Sequence, residues 1–196
     1  MRKHTIRIVG GDYRRTQIPV IDAPGLRPTS DRVRETVFNW LQHIWSGDFS
    51  QRSCLDLFAG TGALGFEAAS RGAQFVQLVE QSPVAAKNLK TLRDKLQATQ
   101  VRIHVGDAMH VLQRSQMRYD LVFVDPPFGA HWLDKVWPHL NQVLVNNGLI
   151  YVESEAAINL PEQFELLRSG KTAHAHFLLA QFAATQEKVN NANNDT

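Results

Sequence analysis

The sequence predicts an α/β fold in which a mainly parallel sheet carries helices on both faces. From residue 53 onward, short apolar runs alternate with segments of helical periodicity, which is typical of parallel strands joined by crossover helices. The last two runs have no helix between them, so they are expected to pair and to give the sheet an antiparallel last strand. A hairpin and a helix are predicted ahead of this region.

The N-terminal extension is expected over residues 1–46. Two runs, 5–9 and 13–20, flank the turn-forming pair Gly10-Gly11 and predict a β-hairpin. Apolar residues then recur at helical spacing from 31 to 45, and Gly47 ends that helix. The sheet domain is expected over 47–184, and the polar, Asn-rich segment 185–196 is predicted to be disordered.

Within the sheet domain, the elements alternate in a regular order. Pro138 is expected in the first turn of the last helix or at a kink within it. The closing strands are placed near 164–167 and 172–182. The other strands are predicted at 53–59, 74–80, 101–105, 119–125 and 149–154, and the helices at 63–72, 83–97, 108–114 and 132–145.

Composition excludes several classes of protein. The chain has 196 residues, of which 43% are hydrophobic and 20% charged, and these values exclude global disorder, collagen and coiled coil. A single cysteine, Cys54, excludes a disulfide scaffold or a cysteine-rich zinc module, and no metal is expected. The start has no apolar core like that of a signal peptide, and no run reaches the roughly 18 apolar residues of a membrane span. A cytoplasmic protein is therefore expected; the further expectation that it is a monomer does not depend on these observations.

A glycine-rich loop marks a candidate cofactor site. Gly60, Gly62 and Gly65 match the pattern G-x-G-x-x-G after a strand and before a helix, and Glu80 ends the next strand 20 residues after Gly60. Glycines let the backbone approach a ligand closely, and a carboxylate at that strand end suits two ribose hydroxyls. Any adenosine cofactor, including a nicotinamide dinucleotide, fits this loop.

Two further carboxylates narrow the choice of cofactor. Asp56 lies four residues before Gly60, where its charge would repel a pyrophosphate and attract the ammonium and sulfonium of S-adenosylmethionine. It could instead cap the turn or pair with an arginine. Asp107, with Ala108 leaving room for a ring, could accept the amine of adenine, or it could cap the following helix.

The segment Asp125-Pro126-Pro127-Phe128 ends the fourth predicted strand. An Asp before Pro is also a common start of a turn. After an adenosine loop, however, the segment suits methylation of an amine on a base, because the Asp125 carboxylate and the Pro126 carbonyl can orient the amine. The proline rings restrict these acceptors, and Phe128 offers a flat face for the base.

The N-terminal segment is basic. Residues 1–35 carry eight basic and four acidic side chains, a net charge of +4, although the whole chain is only +2. Solvated side chains would explain this equally well one by one, but as a group they favour contact with RNA phosphates. The candidates are Arg14, Arg15, Arg27, Arg32 and Arg34.

Four features together resemble class I S-adenosylmethionine-dependent methyltransferases. They are the segment LDLFAGTGALGFEAASRG, the strand end at Glu80, and the short motifs GDA and DPPF. The blocks RIVGGDYRRTQIPV and PGLRPTSDRVRETVFNWL are similar to the RsmD family of bacterial 16S rRNA guanine-N2 methyltransferases, from about residue 6 to 155. This resemblance implies a Rossmann-like seven-stranded sheet with an N-terminal hairpin and helix. It also implies that Phe58 joins the cofactor-binding residues Asp56, Gly60, Gly62, Glu80, Asp107 and Ala108. Thr29 begins the predicted helix, where free amides could bind the methionine carboxylate of the cofactor, or it could simply cap the helix.

The resemblance further implies a substrate. It is the guanine at position 966 of 16S rRNA in conventional numbering, within an assembled or assembling small ribosomal subunit. The same chemistry on adenine N6 of DNA or on a glutamine amide of a protein remains an alternative. A nicotinamide oxidoreductase would leave Asp56 and the DPPF segment unexplained, and the intact cofactor loop argues against a catalytically silent RNA-binding module.

Overall fold

A computed structural model describes residues 6–20, 31–127, 129 and 131–183. The described chain begins with the antiparallel pair β1 (Ile6–Arg7) and β2 (Gln17–Ile18), and α1 (Asp31–Ile44) follows. The predicted hairpin is present, but its paired strands are shorter than expected. The reason is local: the Val9 and Gly10 amides donate to the Glu67 carboxylate rather than to the opposite strand.

Alternating strands and helices then build the main domain. The helices are α2 (Ala63–Ser70), α3 (Pro83–Leu96), α4 (Ala108–Arg114), α5 (Trp132–Val136) and α6 (Leu140–Val143). The strands are β3 (Ser53–Asp56), β4 (Phe75–Glu80), β5 (Val101–Val105), β6 (Tyr119–Val124), β7 (Leu144–Ser154), β8 (Phe164–Lys171) and β9 (His176–Phe182).

The main sheet has seven strands in the order β5-β4-β3-β6-β7-β9-β8. The first five of these run parallel, and β9 is antiparallel to both of its neighbours. The predicted seven-stranded α/β sheet, with its antiparallel last strand and its N-terminal hairpin and helix, is thus confirmed. The strand order reverses between β3 and β6, and this switch point is where ligands bind in open α/β sheets.

Two apolar layers cover the two faces of the sheet. Side chains of α1, α2 and α3 pack on one face together with Ile6, Ile8 and Ile18 of the hairpin region. Side chains of α4, α5 and α6 pack on the other. The N-terminal segment therefore shares its core with the sheet. Residues 185–196, predicted to be disordered, lie outside the described residues.

The region around Pro138 differs from the single helix predicted over 132–145. Helix α5 ends at Val136, a 3₁₀ turn spans Trp137–His139, and α6 follows. Pro138 lies within that turn, because a proline lacks the amide hydrogen that a continuous α-helix needs. Strand β7 begins at Leu144, five residues before the predicted start at 149, because Leu144 already pairs with Tyr119. Across the described part of the chain, none of the helices has the length and apolar character to span a bilayer.

Candidate cofactor and substrate site

The predicted acidic strand ends meet at one edge of the sheet. Asp56 ends β3, and its register partners are Leu78 on β4 and Phe123 on β6. Glu80 ends β4 and pairs with Val105 at the end of β5. Since these strands are parallel, the positions that follow them also lie along this edge, Asp107 after β5 and Asp125 after β6. This edge, with the loops that follow it, is called the rim below.

The glycine-rich loop is tied to the rim by backbone hydrogen bonds. The Gly60 amide donates to Glu80 Oε2 at 2.8 Å, and the Ser82 amide donates to Oε1 of the same carboxylate at 2.7 Å. Gly60 and Gly62 have φ values of 51° and 79°, a left-handed conformation that glycine adopts without strain. The loop is thereby held against the end of β4 before any ligand binds.

Gly65 serves close packing of the helix on the sheet. A Cβ atom at this position would lie 2.0 Å from Leu78 Cδ2, so only glycine lets α2 approach the sheet this closely. The approach brings the Gly65 amide within 3.1 Å of Asp56 Oδ2, to which it donates. The third glycine of the loop therefore positions the carboxylate of Asp56.

Asp56 is a buried carboxylate with unused hydrogen-bonding capacity. Only 1% of the residue is exposed, and its Oδ1 is buried without a hydrogen-bond partner of satisfactory geometry. Burial raises the pKa of Asp56 to about 7; the Gly65 and Phe58 amides lower it, and the charge of Glu80 raises it further. No arginine is among the groups that shift the pKa of Asp56. The arrangement suits a cationic ligand group, which would favour the charged carboxylate.

Asp107 acts as a helix cap. Its side chain accepts a hydrogen bond from the His110 amide at 3.0 Å, and Ala108 begins α4 and is buried. One of the two roles considered for Asp107 is thus confirmed. A carboxylate has capacity for further donors, so contact with the amine of adenine stays a prediction.

The Asp125-Pro126-Pro127 corner follows β6 directly beside the switch point. Asp125 and Pro126 are half-buried, and Pro127 is exposed. Phe128, expected to face the target base, lies outside the described residues. Next to the corner, the Phe58 ring meets Trp132 edge-on with 5.2 Å between ring centroids. Trp132 was not among the predicted site residues, yet it joins the loop after β3 to the segment that follows the corner.

The rim also carries a carboxylate that the sequence patterns did not single out. Glu153 lies near the end of β7, and its Oε2 accepts a hydrogen bond from the hydroxyl of the buried Tyr151 at 2.8 Å. The signal that could have found Glu153 is the one used for Glu80, an acidic residue near the carboxyl end of a predicted strand.

The basic N-terminal side chains divide into two groups. Arg14, Arg15 and Arg32 are exposed, and their contact with RNA stays a prediction. The prediction for Arg34 is wrong: the side chain is 0% exposed and lies 3.7 Å from the Glu67 carboxylate. Its guanidinium also donates to Asp31 and to the Arg7 carbonyl. Thr29 and Arg27 lie outside the described residues.

Glu67 is the centre of the buried cluster that Arg34 joins. Its two oxygens accept the Val9 amide at 2.7 Å and the Gly10 amide at 2.8 Å, and Arg71 Nε donates to it at 2.9 Å. This cluster fastens the turn of the hairpin to α1 and α2. Over residues 6–20, 31–127, 129 and 131–183, no group of three or more His, Cys, Asp or Glu side chains could hold a metal ion.

Comparison with known proteins places the chain among methyltransferases. Residues 6–181 match the model of the family described as conserved hypothetical protein 95. The ribosomal RNA small subunit methyltransferase D of Escherichia coli K12 is 44% identical over 80% of this chain and 78% of its own length. The protein of that name from Haemophilus influenzae is 39% identical, over 91% and 95%. The solved structure of the protein yhhF from Escherichia coli superposes with a TM-score of 0.82 at 39% identity, over 92% and 99%.

Proposed function

The chain belongs to the family of the ribosomal RNA small subunit methyltransferase D proteins and is an S-adenosylmethionine-dependent RNA methyltransferase, and we propose that its target is guanine N2 in 16S rRNA. The target base is the guanine at position 966 in conventional numbering. The substrate is the assembled or assembling small subunit, and the enzyme acts in the cytoplasm as a monomer.

The observation that carries this proposal is the position of the Asp125-Pro126 corner. It follows β6, which lies beside β3, and β3 ends at the buried Asp56. Acceptors for an amine therefore stand next to a carboxylate suited to a cationic methyl donor. Few reactions other than transfer of a methyl group from a sulfonium to a nitrogen need these two groups side by side.

The residues of the rim fit the cofactor. The buried Asp56 Oδ1, which lacks a hydrogen-bond partner of satisfactory geometry, would pair with the cationic end of S-adenosylmethionine. Glu80 would hold the ribose, Gly60 and Gly62 would let the backbone approach, and Asp107 with Ala108 would hold the adenine. S-adenosylmethionine supplies an electrophilic methyl group on sulfur.

The chain's own residues prepare the amine. The lone pair of an exocyclic amine is delocalised into the base, so the nitrogen is a weak nucleophile until its hydrogens are held. Asp125 and the Pro126 carbonyl accept those hydrogens and turn the lone pair toward the donor. Proline restricts the backbone at the corner, and such preorganised acceptors lower the barrier without rearranging during the reaction.

Mass mapping of 16S rRNA from cells that lack the protein tests the proposal. One guanine should lose a single methyl group, and the gene for the wild-type chain should restore it. Asp125→Ala should not restore it, although the protein should still bind S-adenosylmethionine in calorimetry. Asp94→Ala, which removes an exposed carboxylate on α3, is the matched control and should restore methylation fully. Unchanged 16S rRNA in the deletion strain would reject the target.

A further inference from the structure

The corner that would hold the amine has a second carboxylate beside it. Strands β6 and β7 are parallel, and their register pairs Phe123 with Tyr151 and Val124 with Val152. The next residues along the chain are Asp125, directly after the end of β6, and Glu153, still within β7. Neighbouring strands are about 5 Å apart, so the two acidic residues are neighbours at the rim, and the charges of both act on Tyr151.

Side-chain direction places both groups on the same face of the sheet. Residues alternate along a strand, so Glu153 shares a face with Tyr151, and Asp125 shares one with Phe123. The Phe123 and Tyr151 rings lie 6.2 Å apart in an edge-on contact. Asp125 and Glu153 thus continue, toward the rim, the row that these two aromatic rings begin in the core.

Tyr151 determines the direction of Glu153. The tyrosine is fully buried and donates its hydroxyl to Glu153 Oε2 at 2.8 Å. Burial raises the pKa of the Tyr151 hydroxyl well above its usual value, and the charges of Glu153 and Asp125 add to that effect. The hydroxyl therefore stays a donor at every physiological pH, and both carboxylates are close enough for their charges to act on it.

We infer that Glu153 accepts the N1–H of the target base and thereby selects guanine, with Tyr151 as the positioning residue. This inference rests on the proposed function. Guanine presents its N1–H and its N2 amine side by side on one edge, which matches two neighbouring acceptors. Adenine and 2-aminopurine present a bare N1 lone pair there, which a carboxylate repels. Enzymes that extrude a base read it through this edge.

The inference explains why two carboxylates stand at the corner. Asp125 and the Pro126 carbonyl hold the amine that reacts. Glu153 accepts a hydrogen bond from the N1–H next to that amine, which only a base with a hydrogen on N1 can donate. A site built to bond an N–H group rejects the analogue that lacks it far more strongly than a purely apolar pocket does. Asp125 therefore acts on reactivity, and Glu153 acts on the choice of base.

The test compares guanine with 2-aminopurine at the target position. Small subunits are reconstituted with ligated 16S rRNA that carries one base or the other, and kcat/KM is measured for each. Wild-type protein should strongly prefer guanine. In Glu153→Gln the ratio should fall about 10- to 100-fold, because a carboxamide can donate to a bare N1. The intrinsic reactivity of the two amines cancels when ratios of variants are compared.

Two more variants complete the design. Tyr151→Phe keeps the packing but frees Glu153, so the ratio should fall about three- to tenfold. Glu155→Gln removes an exposed carboxylate two residues beyond Glu153 and should leave the ratio unchanged. Calorimetry with S-adenosylmethionine should show unchanged cofactor affinity in all three variants, which separates base selection from loss of folding.

The possible results distinguish the inference from the proposed function. A wild-type ratio near one, or a ratio unchanged in both Glu153→Gln and Tyr151→Phe, would overturn the role of Glu153 while N2-methylguanine is still formed. A wild-type product other than N2-methylguanine would overturn the proposed function itself.

Discussion

Asp56, at the end of β3, and Glu67, within α2, are two buried carboxylates with opposite surroundings. Glu67 accepts two backbone amides and pairs with Arg34 and Arg71. Asp56 accepts the Gly65 amide, and its second oxygen has no partner of satisfactory geometry. One carboxylate is saturated by the protein itself, and the other keeps capacity for something else.

This difference distinguishes a charge that stabilises the fold from a charge that we propose to bind the cofactor. A buried ion pair with its hydrogen bonds made keeps its charge because the surroundings compensate it. A buried carboxylate without a cation carries a desolvation cost, which appears at Asp56 as a pKa raised to about 7. Uncompensated charge of this kind concentrates at ligand sites. The buried cluster around Glu67 thus stabilises the fold, whereas Asp56 leaves a carboxylate at the rim available to a ligand.

The largest expected effect is at Glu67. Glu67→Gln removes the charge that faces both Arg34 and Arg71 and leaves the buried Arg34 with Asp31 alone, so we expect the free energy of unfolding to fall by about 3 kcal/mol. Urea denaturation at neutral pH measures it. Glu35→Gln changes an exposed carboxylate on α1 and should alter stability by less than about 0.5 kcal/mol. A Glu67→Gln protein as stable as the wild type would remove the contrast between the two carboxylates.

Asp56→Asn should act in the opposite direction. The pKa of Asp56 is raised in the folded state from 3.8 to about 7, so its ionisation opposes folding as the pH rises between these values. We expect the variant to gain stability over the wild type across this interval, by up to about 4 kcal/mol above pH 7. The gain should vanish near pH 4. Denaturation of both proteins from pH 4 to 8, without cofactor, measures it, and a constant difference would contradict the shifted pKa.

The same titration should control cofactor binding. Below pH 7 the carboxyl of Asp56 is protonated and no longer attracts a cation, so affinity for S-adenosylmethionine should fall by up to about tenfold per pH unit. In Asp56→Asn, affinity at pH 8 should be about 10- to 100-fold weaker and should change little with pH in this range. Calorimetry across pH 5.5–8 tests both statements, and parallel pH profiles of the two proteins would assign the cation to another group.

The smallest effect is expected on the exposed arginines. Replacing Arg14 and Arg15 with alanine removes two potential phosphate contacts, so the slope of log affinity against log salt should flatten by about two units or less. Binding to small subunits at several salt concentrations measures this slope, with Arg168→Ala, an exposed arginine on the edge strand β8, as the control. An unchanged slope would mean that the exposed arginines make no phosphate contacts. The role of arginine in this segment would then be mainly structural, through the buried Arg34.

The sequence was informative where a residue's role follows from its place in an element. Asp56, Glu80 and Asp107 could be assigned to one edge because each lies near the end of a parallel strand. Arg34 could not be assigned, because a basic segment looks alike whether a side chain faces solvent or a partner from a distant helix. Glu67 lies 58 residues from Val9, and no local pattern reports such a pairing.

Glu153 shows a different limit. The end of its strand was predicted correctly at residue 154, but the role of an acidic residue near a strand end can be inferred only when the neighbouring strand is known. The order β6-β7 and the hydrogen bond from Tyr151 supply that knowledge. The helix predicted over 132–145 ran two residues too far, because periodicity could not reveal that Leu144 already pairs in the sheet.

The buried Arg34–Glu67 cluster also has a consequence for the order in which the chain matures during its synthesis. The hairpin leaves the ribosome first, but the groups that fasten it belong to α2, more than fifty residues later. Burial of either charge without the other is costly. The hairpin can therefore dock only after α2 has been synthesised. A newly made molecule therefore docks its hairpin only after the glycine-rich loop has emerged, and incomplete chains lack this docked hairpin.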